Sequence, residues 1–281
     1  MIKKIGLEYF KNNPDVNGGY HEYLLINDAI KDIKNIDDVI VLINGAITDD
    51  EHEQLSALLI NDKRKKIFIA TDMYCLDKCS KIASLCDYVL GQFRYLPNEY
   101  NWLKNYMYSY VPELFYDEAQ NQKIDKIDNI LFFGGGLNDG RDATLAKYHA
   151  HCDMKCYVKQ NDNTDNRIPY DQYCNDAAKY KYHLIIARDL YTKYHWVTPR
   201  YVECISMGSI PVVNTMYDAD NHFKIPTLFR AQAGLEAKYL MKYCNAPENI
   251  EFINNLINDC KVGIKRKQTY LKEIIEDIIK M

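Results

Sequence analysis

The sequence predicts an α/β protein made of two halves, each a parallel sheet covered by helices. Three observations carry this. Short apolar runs alternate with longer amphipathic stretches, the pattern of strand–helix–strand units. Several runs are apolar at every position, among them Val39-Ile40-Val41-Leu42-Ile43 and Ile67-Phe68-Ile69-Ala70, as a strand buried on both faces requires. The alternation stops in a polar stretch from about Pro112 to Asp128 and then restarts, and 281 residues are long for one compact domain and short for three.

The elements follow in order. Ile2 to Tyr9 reads as a first strand, and Gly18-Gly19-Tyr20-His21-Glu22 as the loop after it. Tyr20 to Ile33 has helical spacing, with Tyr20, Leu24 and Leu25 on one face. Val39 to Ile43 is the next strand, and Asp49 to Ile60 a helix opened by acids, which suit its N-terminus. A strand over Ile67 to Thr71, a helix near Asp77 to Leu85 and a strand at Tyr88 to Leu90 complete the first half. The second half opens with Ile130-Leu131-Phe132-Phe133, a strand that ends in Gly134-Gly135-Gly136. Helix, strand and helix follow, then strands at His183 to Ala187 and Ser209 to Val213. Three helical segments close the chain, the last over about Lys265 to Lys280. The expected domains are residues 1–122 and 123–281, both of doubly wound type.

Composition narrows the function classes. Hydrophobic residues make up 47% and charged residues 26%, an ordinary globular balance. A net charge of −4 excludes a uniformly basic nucleic-acid binder and leaves room for a local basic face. The first 122 residues carry 13 basic against 19 acidic side chains and the rest 22 against 20, so an anionic ligand suits the second half better. No apolar run approaches a membrane span, and Met1-Ile2-Lys3-Lys4 opens no signal-peptide pattern. The expected location is cytoplasmic. Nine cysteines without a CxxC pair fit a reducing compartment. Cys152 and Cys156 have His149 and His151 beside them, but zinc sites use tighter pairs, and small buried hydrophobes is the better reading. Tyrosine is abundant, 24 against 9 phenylalanines and 2 tryptophans. Most are read as core and rim residues.

Four stretches carry chemistry. Phe133-Gly134-Gly135-Gly136-Leu137-Asn138-Asp139-Gly140-Arg141 lies between a strand and a helix. Glycines let a ligand approach backbone N–H groups, the helix start favours an anion, and Arg141 adds a forked charge. Together these suit a diphosphate. Thr198-Pro199-Arg200-Tyr201-Val202-Glu203 starts a helix, with Thr198 as N-cap and Pro199 at its first position. Arg200 and Glu203 share one face, the arginine for phosphate and the carboxylate for two ribose hydroxyls. The alternative is a salt bridge on a solvated face; the glycine loop in the same half supplies the second convergent group that favours a site. Asp72 directly follows a buried strand, where a carboxylate can take a proton from an acceptor hydroxyl or simply cap a turn. Glu22, in the loop after the first strand, is a candidate hydroxyl ligand.

Taken together these residues resemble the bacteriophage DNA β-glucosyltransferase family, whose architecture is GT-B: two Rossmann-like parallel-sheet domains facing a cleft, with a C-terminal helix crossing back to the first domain. Ile67-Phe68-Ile69-Ala70-Thr71-Asp72 resembles the strand ending in the family's catalytic Asp. Phe133 to Arg141 resembles its sugar- and diphosphate-binding loop, and Leu184-Ile185-Ile186-Ala187-Arg188-Asp189 with Thr198 to Glu203 its nucleotide-binding strand and helix start. The run Thr198 to Val213 also resembles exostosin-type glycosyltransferases. The family loop carries two arginines where only Arg141 matches here, so Arg188, Arg200 or lysines would complete the diphosphate contacts.

The resemblance implies an inverting hexosyltransferase. It would move glucose from UDP-glucose to a hydroxymethylated pyrimidine flipped out of duplex DNA. Asp72 would be the general base. Glu22, Gly134, Gly135, Gly136, Arg141, Arg188, Asp189, Thr198, Arg200 and Glu203 would hold the nucleotide sugar. Lys63-Arg64-Lys65-Lys66 would meet DNA phosphates, and a second basic group is Lys261, Lys265, Arg266 and Lys267. The last helix, about residues 265–280, would pack on the first domain. A monomer is expected, with no membrane partner. No metal ligand is named: a divalent cation is compatible with this chemistry, but Asp218-x-Asp220 is a loop match only. A GT-B transferase acting on a glycan, and a non-catalytic nucleotide-sugar binding module, remain the alternatives.

Overall fold

The structure, a computed structural model, describes residues 2–4, 18–44, 49–71, 73–93, 100–103, 105–109, 126–135, 140–159, 170–267 and 269–281. The chain divides into two compact units, residues 1–113 with 266–281, and residues 114–265. The division falls before the expected 122/123 boundary, in a stretch outside the described residues.

The first unit holds β1 (Ile2–Lys4), β2 (Val39–Ile43), β3 (Lys65–Ala70), β4 (Tyr88–Gly91) and β5 (Tyr106–Tyr108), side by side in that order and all parallel. Its helices are α1 (Gly18–Ile30), α2 (Asp49–Asn61), α3 (Met73–Lys78) and α4 (Ser80–Ser84). β2 is buried at all five positions, as its unbroken apolar run requires. Val39, Val41, Ile43, Ile67, Ile69 and Leu90 form one core cluster with Ile26 and Ile30 of α1. The alternate strand residues Ile40, Leu42, Phe68 and Val89 are equally buried.

Several expectations are corrected here. Gly18 to Glu22 opens α1 rather than forming a loop, because the helix that buries Ile26 and Ile30 begins there. The helix expected near Asp77 to Leu85 is two short ones, interrupted at Cys79. β5 was not foreseen: it has three half-buried residues and no apolar run. The described strands run β1 to β5 without reversal, so this sheet is not doubly wound among the described residues. Of the expected strand Ile2 to Tyr9, residues 5–9 lie outside the described residues.

The last helix, α11 (Tyr270–Lys280), belongs to this first unit. Leu271, Ile275 and Ile278 recur at helical spacing and join the cluster of β2, β3 and α1. Lys65 Nζ donates to the Ile278 carbonyl at 2.9 Å and so closes the helix end. Ile275 is fully buried, and Ile275→Ala should lower stability by about 2–5 kcal/mol. Urea unfolding reads this directly. An unmoved midpoint would mean that α11 contributes nothing to the core.

The second unit holds β6 (Ile127–Gly135), β7 (Met154–Lys159), β8 (Tyr180–Ile185) and β9 (Ile210–Val213), in the order β7-β6-β8-β9 and all parallel. The helices are α5 (Arg141–His149), α6 (Tyr170–Ala177), α7 (Asp189–Lys193), α8 (Pro199–Ser206), α9 (Gly234–Asn245) and α10 (Ile250–Lys267). The chain leaves β6 for β7 on one side and returns past it to β8 on the other. That reversal puts a topological switch point at the carboxyl ends of β6 and β8, where ligands bind in open α/β sheets.

Tyrosine does much of the core building here. Tyr148, Tyr182 and Tyr201 are almost wholly buried. The Tyr148 hydroxyl donates to the Ala231 carbonyl and that of Tyr182 to Asn245 Oδ1 at 2.7 Å, the partners that a buried phenol needs. Among the described residues no helix is long and apolar enough to cross a membrane.

Candidate functional site

The residues singled out in the second half converge on the switch point. β6 runs on to Gly135 and so carries the first two loop glycines on its carboxyl end. A Cβ on Gly134 would lie 2.7 Å from the ring of buried Phe132, so a larger residue would force that ring to shift. Gly140 opens α5 with φ +75°, and a Cβ there would meet the Asp189 carboxylate at 2.9 Å. Both constraints select glycine. Arg141 follows as the first residue of α5 and is buried. Gly136 and residues 137–139 lie outside the described residues.

Gly140, Arg141 and Asp189 are therefore brought together from two strand–helix connections. The Asp189 side chain stands at the first turn of α5, where unpaired helix N–H groups favour negative charge. The chain's own carboxylate thus shares the anion-favouring position foreseen for a diphosphate. Arg188, just before it, lies over the Tyr191 ring at 5.8 Å.

The centre of the site is the start of α8. Pro199 takes the first helical position as expected, but the Thr198 hydroxyl does not cap the helix. Buried Tyr217 claims it instead: the two hydroxyls are 3.0 Å apart, and the Tyr217 O–H also reaches the Thr198 carbonyl at 3.1 Å. Arg200 donates to Glu203 Oε2 at 2.6 Å. This pair is not a solvated surface bridge, because the Glu203 side chain is only 8% exposed. Tyr173 of α6 donates its phenol to the same oxygen at 2.8 Å. The Arg200 guanidinium stacks 4.3 Å from the Tyr173 ring centroid and 5.0 Å from that of Phe133, a favourable seat for a cation. The two rings are themselves 4.4 Å apart.

The far end of α8 is fixed as firmly. Lys126 Nζ donates to the carbonyls of Ala178 and Met207, at 3.0 and 2.9 Å, and to Ser209 Oγ at 2.8 Å. It thereby closes the ends of α6 and α8 together. Burial lowers its pKa to about 8. A helix tied at both ends holds Arg200 and Glu203 in place, as a precise binding site needs. Neither Tyr173 nor Lys126 was signalled by the sequence, where a tyrosine in a polar helix and a lysine at a linker end are unremarkable.

In the first unit, a buried polar residue directly follows each of four strands: Asn44, Thr71, Gln92 and Ser109. Asn44 Oδ1 accepts from the Thr71 amide at 2.6 Å and from the Thr71 hydroxyl at 2.7 Å. The carboxyl end of β3 is therefore pinned one residue before Asp72, which itself lies outside the described residues. Glu22 falls within α1, with its side chain outside the described set.

The basic stretch Lys63 to Lys66 lies at the opposite, amino end of β3. With Asp87, Tyr88 and Asn105 it lines a shallow pocket of about 400 Å³. Arg64 is committed to Asp62, with contacts of 2.6 to 3.2 Å, and Lys65 to the end of α11. Lys66 Nζ donates to the Arg64 carbonyl at 3.2 Å, so three of the four cations foreseen for phosphate already have partners within the protein.

Among the described residues, no group of three or more His, Cys, Asp or Glu side chains stands together to hold a metal ion. Asp218 is a turn residue with φ +56°, accepting the amides of His222 and Phe223 at 2.7 and 3.0 Å. Asp220 pairs with His195 at 2.9 Å. His149 Nε2 lies 3.1 Å from Cys156 Sγ, while the Cys152 thiol turns to the Gly234 carbonyl.

No known sequence family matches the chain, and no curated protein matches it in sequence. Solved structures do match in fold. The DNA-modifying enzyme β-glucosyltransferase, solved with and without uridine diphosphoglucose, aligns with a TM-score of 0.70 at 12% identity over 93% of this chain and 94% of its own. The phage T4 enzyme with UDP-glucose aligns at 0.60 and 10% identity, over 86% of this chain and 81% of its own. The phage T4 enzyme with UDP and Mn²⁺ aligns at 0.55 and 12% identity, over 82% and 81%. The His, Cys, Asp and Glu side chains among the described residues do not group in threes to hold such an ion. The likeness spans nearly the whole chain, and the protein has the GT-B fold of these β-glucosyltransferases.

Proposed function

We propose that the protein is a UDP-sugar-dependent glycosyltransferase that transfers glucose to the hydroxyl of a hydroxymethylated pyrimidine in DNA. One observation supports this above the rest: the Arg200–Glu203 pair at the start of α8, with its carboxylate buried and its guanidinium half-buried, beside the carboxyl end of β6, on a GT-B fold. Its chemistry matches a nucleoside diphosphate. The carboxylate accepts the ribose hydroxyls, and the forked Arg200 guanidinium donates to phosphate. The names of the structurally similar enzymes supply the DNA acceptor and the UDP-glucose donor.

In this reading the diphosphate lies against the backbone amides of Gly134 to Gly136, with Arg141 and Arg200 as counter-charges and Arg188 at the rim. Asp189 and Thr198 shape the surrounding turns, Asp189 at α5 and Thr198 through Tyr217. Asp72 takes the proton of the acceptor hydroxyl as its oxygen attacks the anomeric carbon from the face opposite UDP. The bond to the leaving phosphate oxygen breaks, the configuration inverts, and the arginines hold the charge that develops on UDP. Glu22 is the candidate partner for a glucose hydroxyl. A base in duplex DNA must leave the stack to react.

A glycan acceptor is the second reading, favoured by the commitment of Arg64 and Lys65 to partners within the protein. The deciding experiment incubates the protein with radiolabelled UDP-glucose and duplex DNA containing hydroxymethylcytosine or hydroxymethyluracil. Label in the DNA is the expected result. Sugar transfer only to a glycan would sink the DNA acceptor. UDP binding with neither transfer nor hydrolysis would leave a binding module.

A further inference from the structure

We infer that Tyr173 sets the donor's preference for ribose over 2′-deoxyribose by fixing the Glu203 carboxylate, an inference that rests on the nucleotide-sugar reading above. Tyr173 lies in α6, on a different element from both Arg200 and Glu203, and is 4% exposed. Its phenol and the Arg200 guanidinium donate to one and the same oxygen, Glu203 Oε2, at 2.8 and 2.6 Å. Two donors arriving from different elements fix the plane of a carboxylate. A vicinal diol needs such a plane, because its two hydroxyls must meet the acceptor at set angles.

Tyr173 has two separable parts. Its ring packs on Phe133 and carries the Arg200 guanidinium. Its hydroxyl alone touches Glu203. Burial and the neighbouring carboxylate push the phenol well above its ordinary pKa, so it stays a neutral donor through the physiological range. Tyr173 touches neither ribose nor phosphate in this account. It is a positioning residue that acts through Glu203.

Tyr173→Phe removes the hydroxyl and keeps the ring. Affinity for UDP and for 2′-deoxy-UDP is measured by calorimetry on the full chain, alongside thermal melting. The wild type should prefer UDP by about tenfold or more, the worth of one hydrogen bond to a charged group. Tyr173→Phe should bring that preference to about threefold or less, with 2′-deoxy-UDP affinity little changed, as the loss of part of such a bond predicts. An unchanged preference in a variant that still binds UDP overturns the inference and leaves the nucleotide-sugar reading standing. Failure of the wild type to bind UDP overturns that reading itself. Should Tyr173→Phe not fold, 3-fluorotyrosine at position 173 keeps the shape and donates more strongly. The preference should then widen, and an unchanged ratio overturns the inference.

Discussion

Asp72→Ala is expected to lower sugar transfer by about 10² to 10⁴, the range for loss of a positioned general base, while UDP affinity stays close to that of the wild type. The separation follows from placement. The residues proposed to hold the nucleotide lie between positions 134 and 203, whereas Asp72 follows β3 in the other unit. Its neighbour Thr71 is held through both its amide and its hydroxyl by Asn44. Single-turnover transfer with saturating UDP-glucose isolates the chemical step. Wild-type turnover in Asp72→Ala would remove the base assignment and pass the role to another carboxylate, with Glu22 the first to test.

The second large effect is expected at Glu203. Glu203→Ala should weaken UDP binding by about 2 kcal/mol or more, roughly thirtyfold in Kd, because it removes hydrogen bonds to a charged acceptor. It also leaves Arg200 and the Tyr173 phenol without their shared partner. Glu203→Gln keeps the shape and an acceptor oxygen, and is expected to bind UDP with intermediate affinity. Calorimetry with UDP compares the three proteins. An unchanged Kd in Glu203→Ala would rule out the ribose role whatever the DNA assays show.

Legibility in the sequence followed physical scale. Strands buried on both faces, such as Val39 to Ile43, announce themselves because every side chain must be apolar. β5 did not, since three half-buried residues, Tyr106, Met107 and Tyr108, leave no pattern. One helix joint was missed for a related reason: the break at Cys79 sits within continuous amphipathic spacing and shows only in the backbone. Arg200 and Glu203 were readable because they are three apart on one helix, a local relation. Tyr173 lies about thirty residues from Glu203, and only the packing of α6 against α8 brings them together. The Thr198 cap failed likewise, through a distant tyrosine that competes for its hydroxyl. Lys63 to Lys66 read as a free basic run, yet the partner of Lys65 is 213 positions away at the Ile278 carbonyl.

The return of α11 to the first sheet has a consequence for biogenesis. Synthesis runs from the amino end, and domains generally fold as they emerge. The second unit, residues 114–265, is complete in sequence while the first still lacks Leu271, Ile275 and Ile278. One side of the β2–β3 core therefore remains uncovered until the last helix clears the ribosome. The unit made first is finished last, and apolar strands wait exposed throughout translation of the unit between. A nascent chain stalled near residue 265 should be a chaperone client, and emergence of residues 266–281 should end that dependence.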